Sequence, residues 1–250
     1  MIDPEIVRET LHYIEASQRN YPVLFPIISL AAWITGFVQV VEYIRLAIRD
    51  RIHSAPLPVI LYLFADDMAV VLLRDRWFNE IGHPFFIQMW YGFWLSTVLE
   101  LTVIFLMLRH SRARLFPGLT LPGAIAAYAG LQLFAFVFLL WLNDAMSDHF
   151  FLLTPMLCNV ISLAGAMDLL IQRRSRLGLS ITQGWALVAV NTLSNFLFFP
   201  MVSQRFHTPY FTAFAVAVTA FGLVYMYMLW RAPAVEKAVL RDEGGRIVTA

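Results

Sequence analysis

Two adjacent carboxylates, Asp66 and Asp67, sit in the apolar run Leu63-Phe64-Ala65-Asp66-Asp67-Met68-Ala69. The next cation downstream is Arg74, about two helical turns on, and none lies closer upstream. In a medium of low dielectric two neighbouring carboxylates cannot easily both ionise, so at least one is expected to keep its proton. A carboxylic acid held protonated in a dry pocket is a Brønsted acid. A hydrogen-bonded packing pair is the bland alternative. Three more acids, Glu42, Glu100 and Asp168, also fall inside apolar stretches. Placing an acid there costs on the order of a few kcal/mol, so each is a functional candidate by default. Glu42 stands one turn before Arg45, and Asp168 one turn before Gln172 and Arg173. End-of-helix pairing accounts for both. Glu100 has no such neighbour, and chemistry and packing account for it equally. Among amides, Asn191 and Asn195 share one helical face, with Asn159 and Gln132 on other segments. They suit the orientation of a polar group, and hydrogen bonding between helices explains such amides too.

The elements that must hold these residues follow from composition. The chain has 250 residues, 60% hydrophobic and 14% charged. A soluble domain has about 45–50% apolar and about 25% charged residues. The expected fold is a single all-α polytopic membrane domain over 1–250. Seven apolar stretches of membrane-spanning length lie near 23–48, 57–73, 85–108, 122–142, 150–171, 181–201 and 209–230. They must be helical, because backbone polar groups in lipid are satisfied only within the segment. Proline and glycine gather at the borders: Pro56, Pro58, Pro84, Pro117, Pro122 and Pro209. Residues 1–20 lack the apolar core of a signal peptide. With Ile2, Ile6, Thr10 and Tyr13 on one face they read as an interfacial helix, with a frayed terminus as the alternative. Residues 231–250 form a polar tail.

Thirteen of the 18 Lys and Arg residues fall on the side of the 49–56, 109–120 and 172–180 loops and the tail, and five on the other. The positive-inside rule then puts the N-terminus outside and the tail in the cytoplasm. Arginine outnumbers lysine 17 to one. That usage fits a GC-rich genome and a bacterial plasma membrane better than endoplasmic reticulum. A shift of 124 residues lays Leu57 on Ile181, Phe85 on Pro209 and Asp67 on Asn191. It predicts a 3+1+3 pseudo-repeat whose axis brings Asp67 and Asn191 together at mid-membrane.

Several classes are excluded by residue type. The one lysine, Lys237, is in the tail, so no retinal Schiff base can form in a span. The one cysteine, Cys158, forbids an intrachain disulfide. The six histidines lie in loops or at borders, which leaves no intramembrane haem ligands and no histidine box. Asp66-Asp67-Met-Ala-Val lacks the third acid of a magnesium diphosphate motif. No metal and no cofactor is expected. Net charge of +1 gives no nucleic-acid footprint.

The second apolar stretch and the loop before the sixth resemble a known family. Pro56-Leu-Pro58 followed by Ala65-Asp66-Asp67 is similar to the Pro-rich entry and Trp-Glu pair of the small integral-membrane terpene cyclases. These serve fungal meroterpenoid and indole-diterpene pathways and have bacterial relatives. Arg173-Arg-Ser175-Arg-Leu-Gly178-Leu-Ser180 keeps Arg173, Ser175, Gly178 and Ser180 of the family's Arg-Gly-Ser loop. Asp67 takes the place of the essential acid, and Asp66 that of the tryptophan. The family's second acid, in the last span, has no counterpart in 209–230. The resemblance implies metal-independent cyclisation of a lipophilic prenylated substrate, begun by protonation of an alkene or epoxide by Asp67. Asp66 or Glu100 would then serve as the second carboxylate. Glu42, Asn159, Asn191 and Asn195 would contact substrate. Trp33, Phe64, Trp90, Phe93, Trp94 and Trp185 would line the path of the carbocation, since aromatic faces attract cations. The basic loop and the 3+1+3 layout also resemble PQ-loop and SWEET-type transporters, in which Asp67 and Asn191 would bind a small solute.

Overall fold

In the computed structural model the described residues are 4–234, 240–241 and 247–248. The helices among them are α1 (Pro4–Asn20), α2 (Leu24–Asp50), α3 (Leu57–Leu72), α4 (Pro84–Leu115), α5 (Leu121–Ala145), α6 (Leu153–Arg173), α7 (Ile181–Leu193), α8 (Phe199–Val202) and α9 (Pro209–Arg231). Two π-helical segments, Arg76–Ile81 and Ser194–Phe198, and one 3₁₀ turn, Gln204–Phe206, join them. Leu240–Arg241 and Ile247–Val248 pair as a short antiparallel ladder. Lys237 and Ile2 lie outside the described residues.

Local chemistry sets the helix starts. Pro84 and Pro209 open α4 and α9, where a missing N–H costs nothing. Hydroxyl caps precede α9 and α7. Thr208 accepts from the Phe211 N–H at 3.1 Å, and Ser180 from the Gln183 N–H at 3.0 Å. The start of α6 is capped by Asp148. Its carboxylate accepts from the backbone N–H groups of Leu152 and Leu153 at 3.0 and 2.7 Å. This cap also fixes Phe151 and Leu152 in place.

Among the described residues six helical runs are long and apolar enough to cross a membrane: α2, α4, α5, α6, the combined run Ile181–Val202, and α9. The molecule is an α-helical membrane bundle. The expectation of seven such runs is thereby corrected at α3. That helix has 16 residues, about 24 Å of rise against a hydrocarbon core of about 30 Å. The chain leaves α3 at Leu73 and continues into the first π segment, which packs on α4. Trp77 there is fully enclosed, and its Nε1–H donates to the Val70 carbonyl at 2.9 Å.

α3 packs along α4 as α7 packs along α9, and α2 packs on α7 as α6 packs on α3. The α3–α6 approach is close because residue 165 is glycine. A Cβ there would come within 2.6 Å of Val59 Cγ2 and 2.8 Å of Pro56 Cγ. The first helix presents Ile14 as its fully buried residue, with Ile6, Val7 and Leu11 beside it. That face is one position round from the expected Thr10–Tyr13 face. The Tyr13 hydroxyl donates to the Pro200 carbonyl at 2.8 Å, which ties α1 to α8.

At the opposite end the two basic loops are tied together. Arg173 donates to the carbonyls of Leu177 (2.7 Å) and His53 (2.8 Å), and Asp50 accepts from the Gly178 N–H at 2.7 Å. Gly178 has φ +69°, and a Cβ would meet Arg173 Nη1 and the His53 carbonyl. Buried His53 donates its backbone N–H to Ser111 Oγ at 2.7 Å. Burial, and then the neighbouring Arg173 and Arg114, push its imidazole from 6.5 down to about 3. An unfolded chain takes up this proton near pH 6.5, whereas the fold refuses it until about 3. Stability contributed by neutral His53 is therefore complete above pH 6.5 and is lost as pH falls towards 3. His53→Gln should flatten that part of a curve of melting temperature against pH. An unchanged slope would assign the acid sensitivity to other groups.

Candidate functional site

α3 carries Asp66 and Asp67 towards the bundle interior. α4 brings Met89, Phe93, Ser96 and Glu100 to the same place on one helical stripe. α2 adds Trp33, Gly36, Phe37 and Gln39. Pro155, Cys158 and Asn159 come from α6, and Ser194, Phe198 and Phe199 from the second π segment and α8. Together they line a chamber of about 140 Å³.

The three acids are withdrawn from the surface, with Asp66 and Glu100 each 1% exposed and Asp67 6%. Glu100 lies across from both aspartates. Among the described residues none of the three has a cationic partner within ion-pair distance. Ser96 faces Asp67. Thr154 and Cys158 face Asp66 without closing a tight hydrogen bond: the Thr154 hydroxyl and Asp66 Oδ1 are unpartnered, as are both Glu100 oxygens. Buried polar atoms are seldom left unmatched, and those that are call for an explanation. Here three acids point at a shared space.

The rest of the wall is aromatic and apolar. The Trp33 and Phe93 rings meet edge-to-face at 5.2 Å, and Trp33 stacks on Phe37 at 5.8 Å. Phe198 packs on Phe199 at 5.5 Å. Among the described residues neither arginine nor lysine lines the chamber. Nor is there among them a cluster of three or more His, Cys, Asp or Glu side chains able to hold a metal ion.

The expected site residues divide into two groups. Asp66, Asp67, Glu100, Asn159, Trp33 and Phe93 converge on the chamber. Asn191 stands behind it, its amide donating to the Asn159 carbonyl at 3.2 Å and the Leu187 carbonyl at 2.9 Å. Asn195 is buried with both amide atoms unpartnered, next to the wall residue Ser194. The structure places the others apart. Glu42 is held by Arg45 at 2.7 Å through both oxygens and by Ser180 Oγ at 2.6 Å. Phe64 packs in a separate core with Val40, Tyr43 and Val103. Trp90 donates to the Val71 carbonyl at 3.1 Å. Trp94 and Trp185 are 51% and 54% exposed on outer faces of the bundle. Asp168 accepts from Gln172 at 2.7 Å at an exposed helix end.

Ser96, Cys158, Thr154 and Gln39 were not among the expected residues. Ser96 carried a usable signal, since it lies one turn before Glu100 and one before that comes Phe93. The π segment carried another. Pro200 has no N–H for the Phe196 carbonyl, and the register shifts so that the Phe199 N–H bonds the Ser194 carbonyl. That shift sits at the chamber wall.

Comparison with protein-family models, curated proteins and solved structures finds no match to this chain.

Proposed function

We propose that the protein is a metal-independent membrane cyclase of a lipophilic prenylated substrate, with Asp67 as the initiating acid. The observation that carries this reading is the convergence of three buried carboxyl groups on an aromatic chamber without a facing cation. Protonated Asp67 donates to the terminal alkene carbon or to an epoxide oxygen. The cation so formed is attacked by the next alkene of the chain, which closes a ring. Trp33 and Phe93 present aromatic faces to the moving charge. Proton loss from the last cation to Glu100 or Asp66, one of them held as a carboxylate, restores an alkene, and that acid then passes the proton back to Asp67 for the next turnover. Protons balance, and the step is an isomerisation. A wall without arginine or lysine fits an uncharged reacting end better than a diphosphate. The reading accords with the resemblance of Pro56-Leu-Pro58 and Ala65-Asp66-Asp67 to the membrane terpene cyclases.

The paired packing of α3–α4 with α7–α9, and of α2–α7 with α6–α3, supports the 3+1+3 repeat. It also favours the second reading, a small-solute transporter with its site near the repeat axis. The reading includes a topology with the α1 side outside and the Arg173 loop in the cytoplasm, which the positive-inside rule supports, and the excess of arginine over lysine favours a bacterial plasma membrane.

The two readings separate in one experiment. Membranes containing the protein are given farnesyl and geranylgeranyl compounds, with and without a terminal epoxide, and products are read by mass spectrometry. Proteoliposomes are assayed in parallel for uptake of sugars and amino acids. Cyclised isomers without uptake support the cyclase. Uptake without cyclised isomers replaces it with the transporter.

A further inference from the structure

The chamber is too small for the substrate proposed above. An apolar cavity of about 150 Å³ holds a benzene molecule, and this chamber measures about 140 Å³. One isoprene unit or one nascent ring fits, so the remainder of a polyprenyl chain must lie elsewhere. A second cavity adjoins it. This groove of about 650 Å³ runs between the N-terminal halves of α2 and α4 and is lined by Phe25, Pro26, Leu30, Phe85, Gln88 and Gly92, among others. Trp33, Phe37 and Met89 belong to both walls. They form the partition between groove and chamber. Outside the groove, Ile27, Ile34, Tyr91 and Leu95 are exposed on apolar helices, as lipid-facing residues are.

Trp33 is the part of this partition that rests on a glycine. Its indole lies on Gly92, where a Cβ would come within 2.5 Å of Trp33 Cζ3. Glycine gives the ring a flat bed on α4 and leaves no side chain to interlock with it. Gly36, one turn further along α2, has no atom within 4 Å of where a Cβ would stand.

We propose that the α2–α4 groove is the entry path and tail-binding site for the hydrocarbon chain of the substrate, with Trp33 as its gate. The inference rests on the cyclase reading for the identity of the occupant. The chain enters sideways from the lipid, passes Trp33, Phe37 and Met89, and puts its terminal isoprene unit beside Asp67. Its remaining units lie along Phe25, Leu30 and Phe85. The uncharged head stays at the groove mouth, near Gln18, Gln88 and His83, which are the polar groups there.

Cys158 tests the path independently of turnover, because it is the only cysteine and lines the chamber. In native membranes its labelling by apolar N-cyclohexylmaleimide should outpace labelling by a sulfonated, water-borne methanethiosulfonate, each rate being taken relative to that reagent's rate with a free small thiol in water. Trp33→Ala should raise the maleimide rate about tenfold, as expected for local opening made easier by about 1.4 kcal/mol. Gln88→Trp, at an exposed position that fills the groove without touching the chamber, should lower it by a similar factor. Faster labelling by the charged reagent would overturn the lateral path. So would a rate in Gln88→Trp within about twofold of the parent protein, well short of the tenfold step. Labelling that behaves as expected while no cyclised product forms would leave the path standing and remove the cyclase. The reverse pattern would do the opposite.

Discussion

On the proposed cyclase reading, Asp67→Asn should lower cyclisation by about 10²- to 10⁴-fold, the span over which a positioned general acid contributes. The substitution keeps shape and hydrogen-bonding capacity and removes only the proton that the reaction needs. Asp67 is buried at the chamber wall beside Ser96, so an amide is accommodated there. Asp168→Asn is the matched control. That carboxyl is also within a long apolar helix but bonds Gln172 at an exposed end. It should leave the rate unchanged. The readout is product formed per unit of folded protein in membranes supplied with substrate. Equal rates for Asp67→Asn and the parent protein would exclude Asp67 as the initiating acid.

Two glycines give the second large effect, and they separate chamber from scaffold. Gly36 lines the chamber, and a Cβ there meets nothing within 4 Å. Gly36→Leu therefore folds normally but fills much of a 140 Å³ space. Activity should fall on the order of a hundredfold, as misplacement of a reacting group by an ångström does. Gly165→Leu acts elsewhere. Its side chain collides with Val59 and Pro56 and forces α6 from α3. Overpacking of this kind costs about 1–3 kcal/mol, or roughly 2–10 °C in melting temperature for a chain of this size. Melting curves and product yields from the two variants should thus move in complementary ways. A Gly36→Leu protein with full activity would show that the reaction occurs outside the chamber.

The polar part of this site was legible because charge in an apolar span is rare. Asp66, Asp67 and Glu100 declared themselves by type alone. Their convergence needed the packing of α3 against α4. The aromatic wall was less legible. A helix that is apolar on every side has no polar stripe to tell its buried face from its lipid face. Phe93 thus faces the chamber while its neighbour Trp94 faces outward. Helical spacing from Glu100 back through Ser96 to Phe93 and Met89 would have separated them. Glu42 misled for a different reason. Its partner Arg45 was visible in sequence, but Ser180, which completes its shell, comes from 138 residues away. The end of α3 was legible to within one residue, because Arg74, Asp75 and Arg76 close the apolar run just after Leu73. What the sequence did not announce is the π segment that follows, where buried Trp77 reaches back along the chain to the Val70 carbonyl.

The central claim is that a proton from this protein starts ring closure. Its most direct test is the mass of the product formed in deuterium oxide from a polyprenyl substrate ending in an alkene. Exchange loads the carboxyl groups with deuterium before the substrate is added. The account predicts a cyclised product carrying one deuterium at the former terminal isoprene unit, formed by the parent protein and not by Asp67→Asn. A cyclised product without deuterium, or the labelled product formed equally well by Asp67→Asn, would contradict it.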